Sequence, residues 1–245
     1  MRHMDLCSGI GGFALGFEWA QLSNPVLFCD SEEWCRKVLR KHWTDVPILN
    51  DVKELANDPT QIPDCDILTA GYPCQPFSLA SPKRKGAEDP RHLWPYLLKI
   101  VTSKRPTWCV FENVYGHVSM GLDTVLNDLE TQGYSARTFN VPALGVDANH
   151  KRERLWIVAN SNDSGNRTSE HESVINGEET HQGWNRQPLN RTGGLGKNGR
   201  WKWEPEPSVG RVAHGVPRRM DRIRGLGNAI VPQIAMQIGL AIKEM

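Results

Sequence analysis

Asp66-Ile67-Leu68-Thr69-Ala70-Gly71-Tyr72-Pro73-Cys74-Gln75-Pro76-Phe77-Ser78 is the stretch whose reading decides the fold. An apolar run of strand character ends in Gly71-Tyr72-Pro73, so the next side chain, Cys74, is delivered at the C-terminal end of a strand. Open α/β sheets place their ligands and chemistry there. Pro73 and Pro76 bracket the cysteine, fix two φ angles and withhold two amide donors, so Cys74-Gln75 is expected on a stiff loop and not inside a helix. Cys74 is the nucleophile candidate. A buried cysteine at a strand end is the alternative for this stretch taken alone.

Upstream, Asp5-Leu6-Cys7-Ser8-Gly9-Ile10-Gly11-Gly12-Phe13 reads as a short strand, a glycine-rich turn and the start of a helix. Glycines at 9, 11 and 12 let backbone approach a ligand closely. The turn is not GxGxxG and holds no basic residue, so a phosphate-free adenosine ligand suits it better than a dinucleotide. Val26-Leu27-Phe28-Cys29-Asp30 is the expected second strand. Its terminal acid lies about 20 residues past the glycines, where Rossmann-like folds bind a ribose diol, and Asp30 is read as the ribose ligand. Ile48 to Val52 is expected to be a third short strand. It would bring Asp51, an acceptor for an adenine amino group, and Val52, an apolar wall, to the same rim.

Downstream, residues 79–91 carry Lys83-Arg84-Lys85 in a polar, glycine-containing stretch, read as a basic flap. A helix is expected over Leu93–Ile100. Thr107 to Phe111 should form a buried strand ending in Glu112-Asn113-Val114, which places a carboxylate at an apolar rim with a raised pKa. An amphipathic helix follows over 122–132, then a strand over Ser135–Val141. His150 to Ala159 is expected to be another strand, with Arg152 and Arg154 on one face, facing anion or carbonyl partners. Composition changes at Asn160: residues 160–207 are rich in Asn, Gly, Ser, Thr and Glu, with little apolar periodicity. Gly225 to Gln233 leads into an apolar C-terminal helix, Ile234 to Ile242.

The 245-residue chain has a net charge of +1, unevenly distributed. Residues 1–150 carry 14 Lys and Arg against 18 Asp and Glu, whereas residues 151–245 carry 15 against 10. The basic half, densest from Arg211 to Arg224 with Arg218, Arg219 and Arg222 between, is the expected polyanion face. A chain without an 18-residue apolar run or a leader-like N-terminus is expected to be cytoplasmic, with reduced thiols. The six cysteines form no CxxC pair, so no metal site is expected.

In combination, DLCSGIGGF, an acid after the second strand, ND, GYPCQPFS, FENV, KRER and GNAIVPQ resemble the DNA (cytosine-5) methyltransferase family in order and spacing, over residues 5–159 and about 218–240. The resemblance implies a Rossmann-like α/β fold with a mostly parallel central sheet. Residues 1–159 plus 211–245 would form the catalytic, cofactor-binding domain and residues 160–210 a small, loop-rich target recognition region. It implies S-adenosyl-L-methionine as cofactor, with Asp5, Cys7, Gly9, Ile10, Gly12, Asp30, Ser31, Asp51, Val52, Leu93 and Asn228 around it. Cys74 would be the nucleophile, with Pro73, Gln75 and Asn113 beside the reacting groups. Glu112 would hold the cytosine ring, and Arg154, with Arg152 next to it, would support the flipped base. Ser78, Lys83, Arg84, Lys85, Arg218 and Arg219 are the expected DNA contacts.

The partners implied are duplex DNA and no membrane, with a cognate restriction enzyme left open, for a monomeric member of small, phage- or prophage-like type. The sequence departs from the family pattern in three places. His150 stands where Gln is usual, Cys7 where many members carry Phe, and Asp30 where Glu is commoner. The alternatives are an inactive relative acting as a DNA-binding protein, an RNA cytosine-5 methyltransferase, and a dinucleotide oxidoreductase. The last needs neither Cys74 between prolines nor the arginine pair.

Overall fold

Three strands at the centre of one sheet are buried along nearly their whole length: Arg2–Leu6 (β1), Ile67–Ala70 (β4) and Trp108–Val114 (β5). Strands buried on both faces read as continuous apolar runs, which is why β4 and β5 stand out in the sequence. The computed structural model describes residues 1–73, 92–118, 121–146, 148, 152–161 and 228–245. Cys74, Gln75, Ser78, the 79–91 flap with Lys83, Arg84 and Lys85, His150, nearly all of the 160–210 region, Arg218 and Arg219 lie outside the described residues.

The sheet has seven strands among the described residues, in the order β3-β2-β1-β4-β5-β7-β6. β1 leads through helix α1 (Gly12–Trp19) to β2 (Asn24–Cys29), and α2 (Glu33–His42) leads to β3 (Ile48–Leu49). Helix α3 (Val52–Asn57) then returns the chain to β4, on the other side of β1. Helix α4 (Trp94–Lys104) precedes β5, and α5 (Leu122–Thr131) precedes β6 (Ser135–Pro142). β7 (Glu153–Asn160) inserts between β5 and β6, antiparallel to both, while the other pairings are parallel. The direction of strand addition reverses between β1 and β4, so their C-terminal ends flank the crevice where such sheets bind ligands.

One face of the sheet packs Leu6, Leu68, Phe111 and Ile157 against Leu97, Val101, Val125 and Leu129 of α4 and α5. The other packs Ile67, Val110 and Trp156 against Phe13 and Phe17 of α1 and Ile234 of the last helix, α6 (Pro232–Lys243). Helices α1 and α6 approach closely because small residues face each other. A Cβ on Gly239 would stand 3.0 Å from Ala20 Cβ, and one on Gly16 would stand 2.6 Å from Ala235 Cβ. Among the described residues no helix is long and apolar enough to cross a membrane.

Three elements depart from the sequence reading. β3 stops at Leu49; Asp51 caps α3, its Oδ1 accepting the Lys53 amide at 2.8 Å, and Val52 is the first helical residue. β5 ends, as read, in Glu112-Asn113-Val114, with Glu112 opposite Trp156 of β7. β7 begins at Glu153, so Arg152 precedes it, with a left-handed φ of 29°, and does not alternate with Arg154 along one strand face. α6 begins two residues earlier than expected, with Pro232 in its first turn, where the missing amide costs nothing.

Candidate active site

At the C-terminal end of β1 the chain makes a tight turn with left-handed φ at Cys7 (52°), Gly9 (55°) and Gly11 (85°). Ser8, buried, holds the turn against β2: its amide donates to Cys29 O at 3.0 Å, and its hydroxyl donates to Asp5 O at 2.5 Å. Asp30 closes it from the β2 side. Its Oδ2 accepts the Gly9 amide at 2.7 Å and its Oδ1 the Glu32 amide at 2.8 Å. Burial raises the Asp30 carboxyl while these two amides pull it back. Trp43, which sequence reasoning did not single out, packs under the turn: a Cβ on Gly11 would lie 2.5 Å from its ring. A Cβ on Gly9 would meet nothing within 4 Å, so the turn presents bare backbone to open space.

The other expected cofactor residues are arranged about this turn to different degrees. Cys7 is partly buried, and its thiol is pushed well up by burial and by the carboxylates of Asp30, Asp5 and Asp51, so it is a poor thiolate. Ile10 is partly exposed, Ser31 is exposed beside Asp30, and Val52 is buried. Leu93 lies just before α4 and packs on the core. Asp5 lies below the turn. It is fully buried, and its Oδ1 accepts from Thr69 Oγ1 at 2.8 Å, while Thr69 Oγ1 lies 2.8 Å from His3 Nε2. This triad sits beneath α1, where the His3 ring packs 5.2 Å from that of Phe17, so Asp5 supports the turn from below.

At the far side of β4 the ends of β5 and β7 meet. Arg154 Nε donates to Glu112 Oε1 at 2.9 Å, and both side chains are largely buried. Burial lifts the Glu112 carboxyl to about 7, against the opposing pull of Arg154 and Arg152. Arg152 does not join that pair directly; its Nη2 donates to Ala229 O at 2.8 Å and anchors the segment next to Asn228. Ile230, missed from sequence, is the hub of this region. A Cβ on Gly12 would come within 2.6 Å of Ile230 O, and one on Gly71 would come 3.2 Å from Ile230 Cδ1 and 3.7 Å from Glu112 Oε2. In the segment that leads into α6, the residue that approaches the glycines of the site is this isoleucine. Asn113 points to the opposite face of β5 from Glu112: it pairs with Leu155, is buried, and its Oδ1 accepts the Val114 amide at 2.9 Å. Pro73 is exposed at the end of the described segment leading to Cys74.

The structure thus brings the glycine turn, Asp30 and Asp51 to one side of the β1/β4 crevice. Gly71, Glu112 and Arg154 lie on the other, and Ile230 reaches both sides, at Gly12 and at Gly71. A donor set of bare amides and carboxylates with no cation in the turn fits a phosphate-free, positively charged adenosine ligand. This fold and site define the class: a Rossmann-like α/β protein with its ligand crevice between β1 and β4.

Comparison with known proteins narrows the class. The model of the family "C-5 cytosine-specific DNA methylase" matches residues 1–192, and the chain belongs to that family. It is 36% identical over 170 residues to the type II methyltransferase M.NgoFVII of Neisseria gonorrhoeae, covering 66% of this chain and 44% of the relative. It is 34% identical over 168 residues to M.HhaI of Haemophilus parahaemolyticus, covering 66% and 50%. The chain therefore spans about half the length of these relatives. Among solved structures, a Spodoptera frugiperda DNMT2 mutant superimposes with a TM-score of 0.58 at 21% identity, covering 71% of this chain and 54% of that one. A putative DNA modification methyltransferase encoded within an Escherichia coli prophage gives 0.52 at 20%, covering 65% and 46%. These last two likenesses establish the fold.

Proposed function

We propose that this chain transfers a methyl group from S-adenosylmethionine to C5 of cytosine in duplex DNA, through a covalent adduct of Cys74 with a base flipped out of the helix. The observation that carries the reading is the buried Glu112–Arg154 pair beside Gly71, three residues before Cys74, in a chain of the cytosine-5 family. Cytosine C5 is a poor nucleophile, and addition of the Cys74 thiolate at C6 moves an electron pair onto C5. Glu112, able to hold a proton near neutral pH, hydrogen-bonds N3 as charge develops there. Arg154 binds O2 with the donors not used on Glu112. S-adenosylmethionine, when bound, supplies a methyl group on a positively charged sulfur. After transfer, C5 gives up its proton to a base, the C6–S bond breaks, and Cys74 is released as the thiolate. The amides of the 9–12 turn, together with Asp30 and Asp51, would hold the adenosine. The 160–210 region and the basic residues around Arg218 would face the DNA.

The test is methyl transfer from labelled S-adenosylmethionine to duplex DNA by the purified chain, with deamination-based sequencing of DNA from cells expressing it. Methylated cytosines are expected with the wild type and none with Cys74→Ala, whose cofactor affinity stays within a few-fold. Full activity of Cys74→Ala overturns the covalent route, and methylation of RNA alone would move the substrate class.

A further inference from the structure

The ladder between β4 and β5 ends at Ala70 opposite Phe111. β5 continues through Glu112, Asn113 and Val114, which among the described residues pair with β7. Among the described residues, the β4–β5 register therefore stops one residue short of Gly71-Tyr72-Pro73, the approach to Cys74. A side-chain pair spans the gap. Tyr72 Oη and His117 Nε2 share a hydrogen bond of 3.0 Å, with both residues buried. Tyr72 precedes Cys74 by two residues, and His117 closes the single 3-10 turn Tyr115–His117 that follows β5.

The phenol ring is further held edge-on to Phe111 at 6.4 Å and to the His117 imidazole at 5.8 Å, and tilted on Trp94 at 6.0 Å. Burial, with His92 adding to it, keeps the imidazole pKa down at about 4, so His117 is neutral throughout the neutral range. Such a bond in a dry setting is short-ranged and directional, and it fixes distance more than it adds net stability.

We propose that Tyr72 and His117 are a positioning pair that sets the approach to Cys74 at a fixed height relative to Glu112. The proposal rests on the cytosine-5 reading of the site. Neither residue touches the substrate; each acts through the backbone that carries a reacting group.

The experiment uses duplex DNA in which 5-fluorocytosine replaces cytosine throughout, so that no target sequence need be known. Fluorine cannot leave C5 as the proton does, and the Cys74 adduct accumulates at a measurable rate in the presence of S-adenosylmethionine. Tyr72→Phe and His117→Phe, which keep most of the volume, are each expected to slow trapping by about tenfold, inside the range that ~1 Å misplacements cause. S-adenosylmethionine affinity, which also reports that each variant is folded, should change by no more than about twofold. The double variant should be no slower than the slower single, because both remove one bond. His117→Gln, which keeps a polar partner for the phenol, should recover part of the rate. Wild-type trapping matched by both single variants overturns the pair while leaving the cytosine reading intact. Strictly multiplicative losses in the double variant also overturn it. Failure of the wild type to trap overturns the cytosine reading and the pair together.

Discussion

Asp30 accepts the amide of Gly9 at 2.7 Å, so the carboxylate at the end of β2 is tied to the glycine turn that follows β1. Its second oxygen takes the Glu32 amide at the start of α2. The residue expected to bind ribose therefore also fastens the turn that shapes the pocket. Asp30→Ala should weaken S-adenosylmethionine binding by about 1–3 kcal/mol, the scale for losing hydrogen bonds to a charged acceptor. It should also lower Tm, because two partly buried amides lose their acceptor. Asp30→Asn, which keeps one acceptor oxygen, should fall between. Calorimetric titration beside thermal melting checks both; unchanged affinity in the alanine variant would refute the ribose assignment.

Gly9 and Gly12 make a paired test of what the turn needs. At Gly12 a Cβ would come within 2.6 Å of Ile230 O and 2.8 Å of Ile230 Cβ, both fixed by the packing of α6 on α1. Gly12→Ala should destabilise by about 1–3 kcal/mol through overpacking. At Gly9 there is open space but a φ of +55°, so Gly9→Ala should cost about 1 kcal/mol of backbone strain. Its larger effect should be on cofactor affinity, because the methyl group projects into the pocket. Equal losses of stability from the two substitutions would contradict this geometry.

The His3–Thr69–Asp5 triad makes stability depend on pH in opposite senses. Burial pushes Asp5 up to about 8 from 3.8, so the native protein holds a proton that the unfolded chain releases. That contribution is full below the unfolded value and is lost as pH rises towards 8. Burial pushes His3 down to about 3 from 6.5, so its contribution is lost as pH falls through that interval. Between pH 7 and 8 the His3 arm no longer changes, and Asp5 acts beside Glu112, whose carboxyl is raised to about 7. Asp5→Asn, which keeps the shape of a neutral acid, should flatten the fall in Tm over that interval. A wild type whose Tm is level from pH 7 to 8 would show Asp5 to be ionised in the fold.

The parts of the molecule legible in the sequence were those fixed by local patterns. β4 and β5 are buried on both faces and read as apolar runs, and the glycine turn carries its own backbone constraints. Asp51-Val52 was misread because Val52 extends the apolar character of Ile48-Leu49. The signal against a strand was present: Asp51 with Glu54 three residues later is a helix-capping pattern, and the capping geometry is what the structure shows. Arg152 failed for another reason. Alternation assumes one unbroken strand, whereas the left-handed residue before Glu153 turns its side chain towards Ala229. Contacts such as Tyr72 with His117, or Gly12 and Gly71 with Ile230, join residues far apart in the chain. Nothing in local composition encodes them, because they follow from how the layers close.

The Glu112–Arg154 pair supports the last prediction, in which the cost of losing the arginine depends on pH. Glu112 is buried and titrates near 7 even with Arg154 Nε at 2.9 Å, so desolvation outweighs the attraction of its partner. Removing one member of a buried ion pair is costly when the other is left charged. Here Glu112 can escape that cost by taking a proton. Arg154→Ala should therefore destabilise by only about 1 kcal/mol at pH 6, rising to about 3 kcal/mol at pH 8.5, where the carboxylate must ionise or hold its proton against the solvent. In the wild type the raised carboxyl of Glu112 means that its contribution is present below 4.5 and is lost as pH rises through 7. Glu112→Gln should flatten that segment and make the effect of Arg154→Ala independent of pH. Activity should follow the same proton, with kcat/KM falling as pH rises through about 7 in the wild type. Denaturant melts of the two single variants and the double variant at pH 6 and 8.5 decide it. A pH-independent penalty for Arg154→Ala with Glu112 in place would mean that the carboxylate is ionised at both pH values.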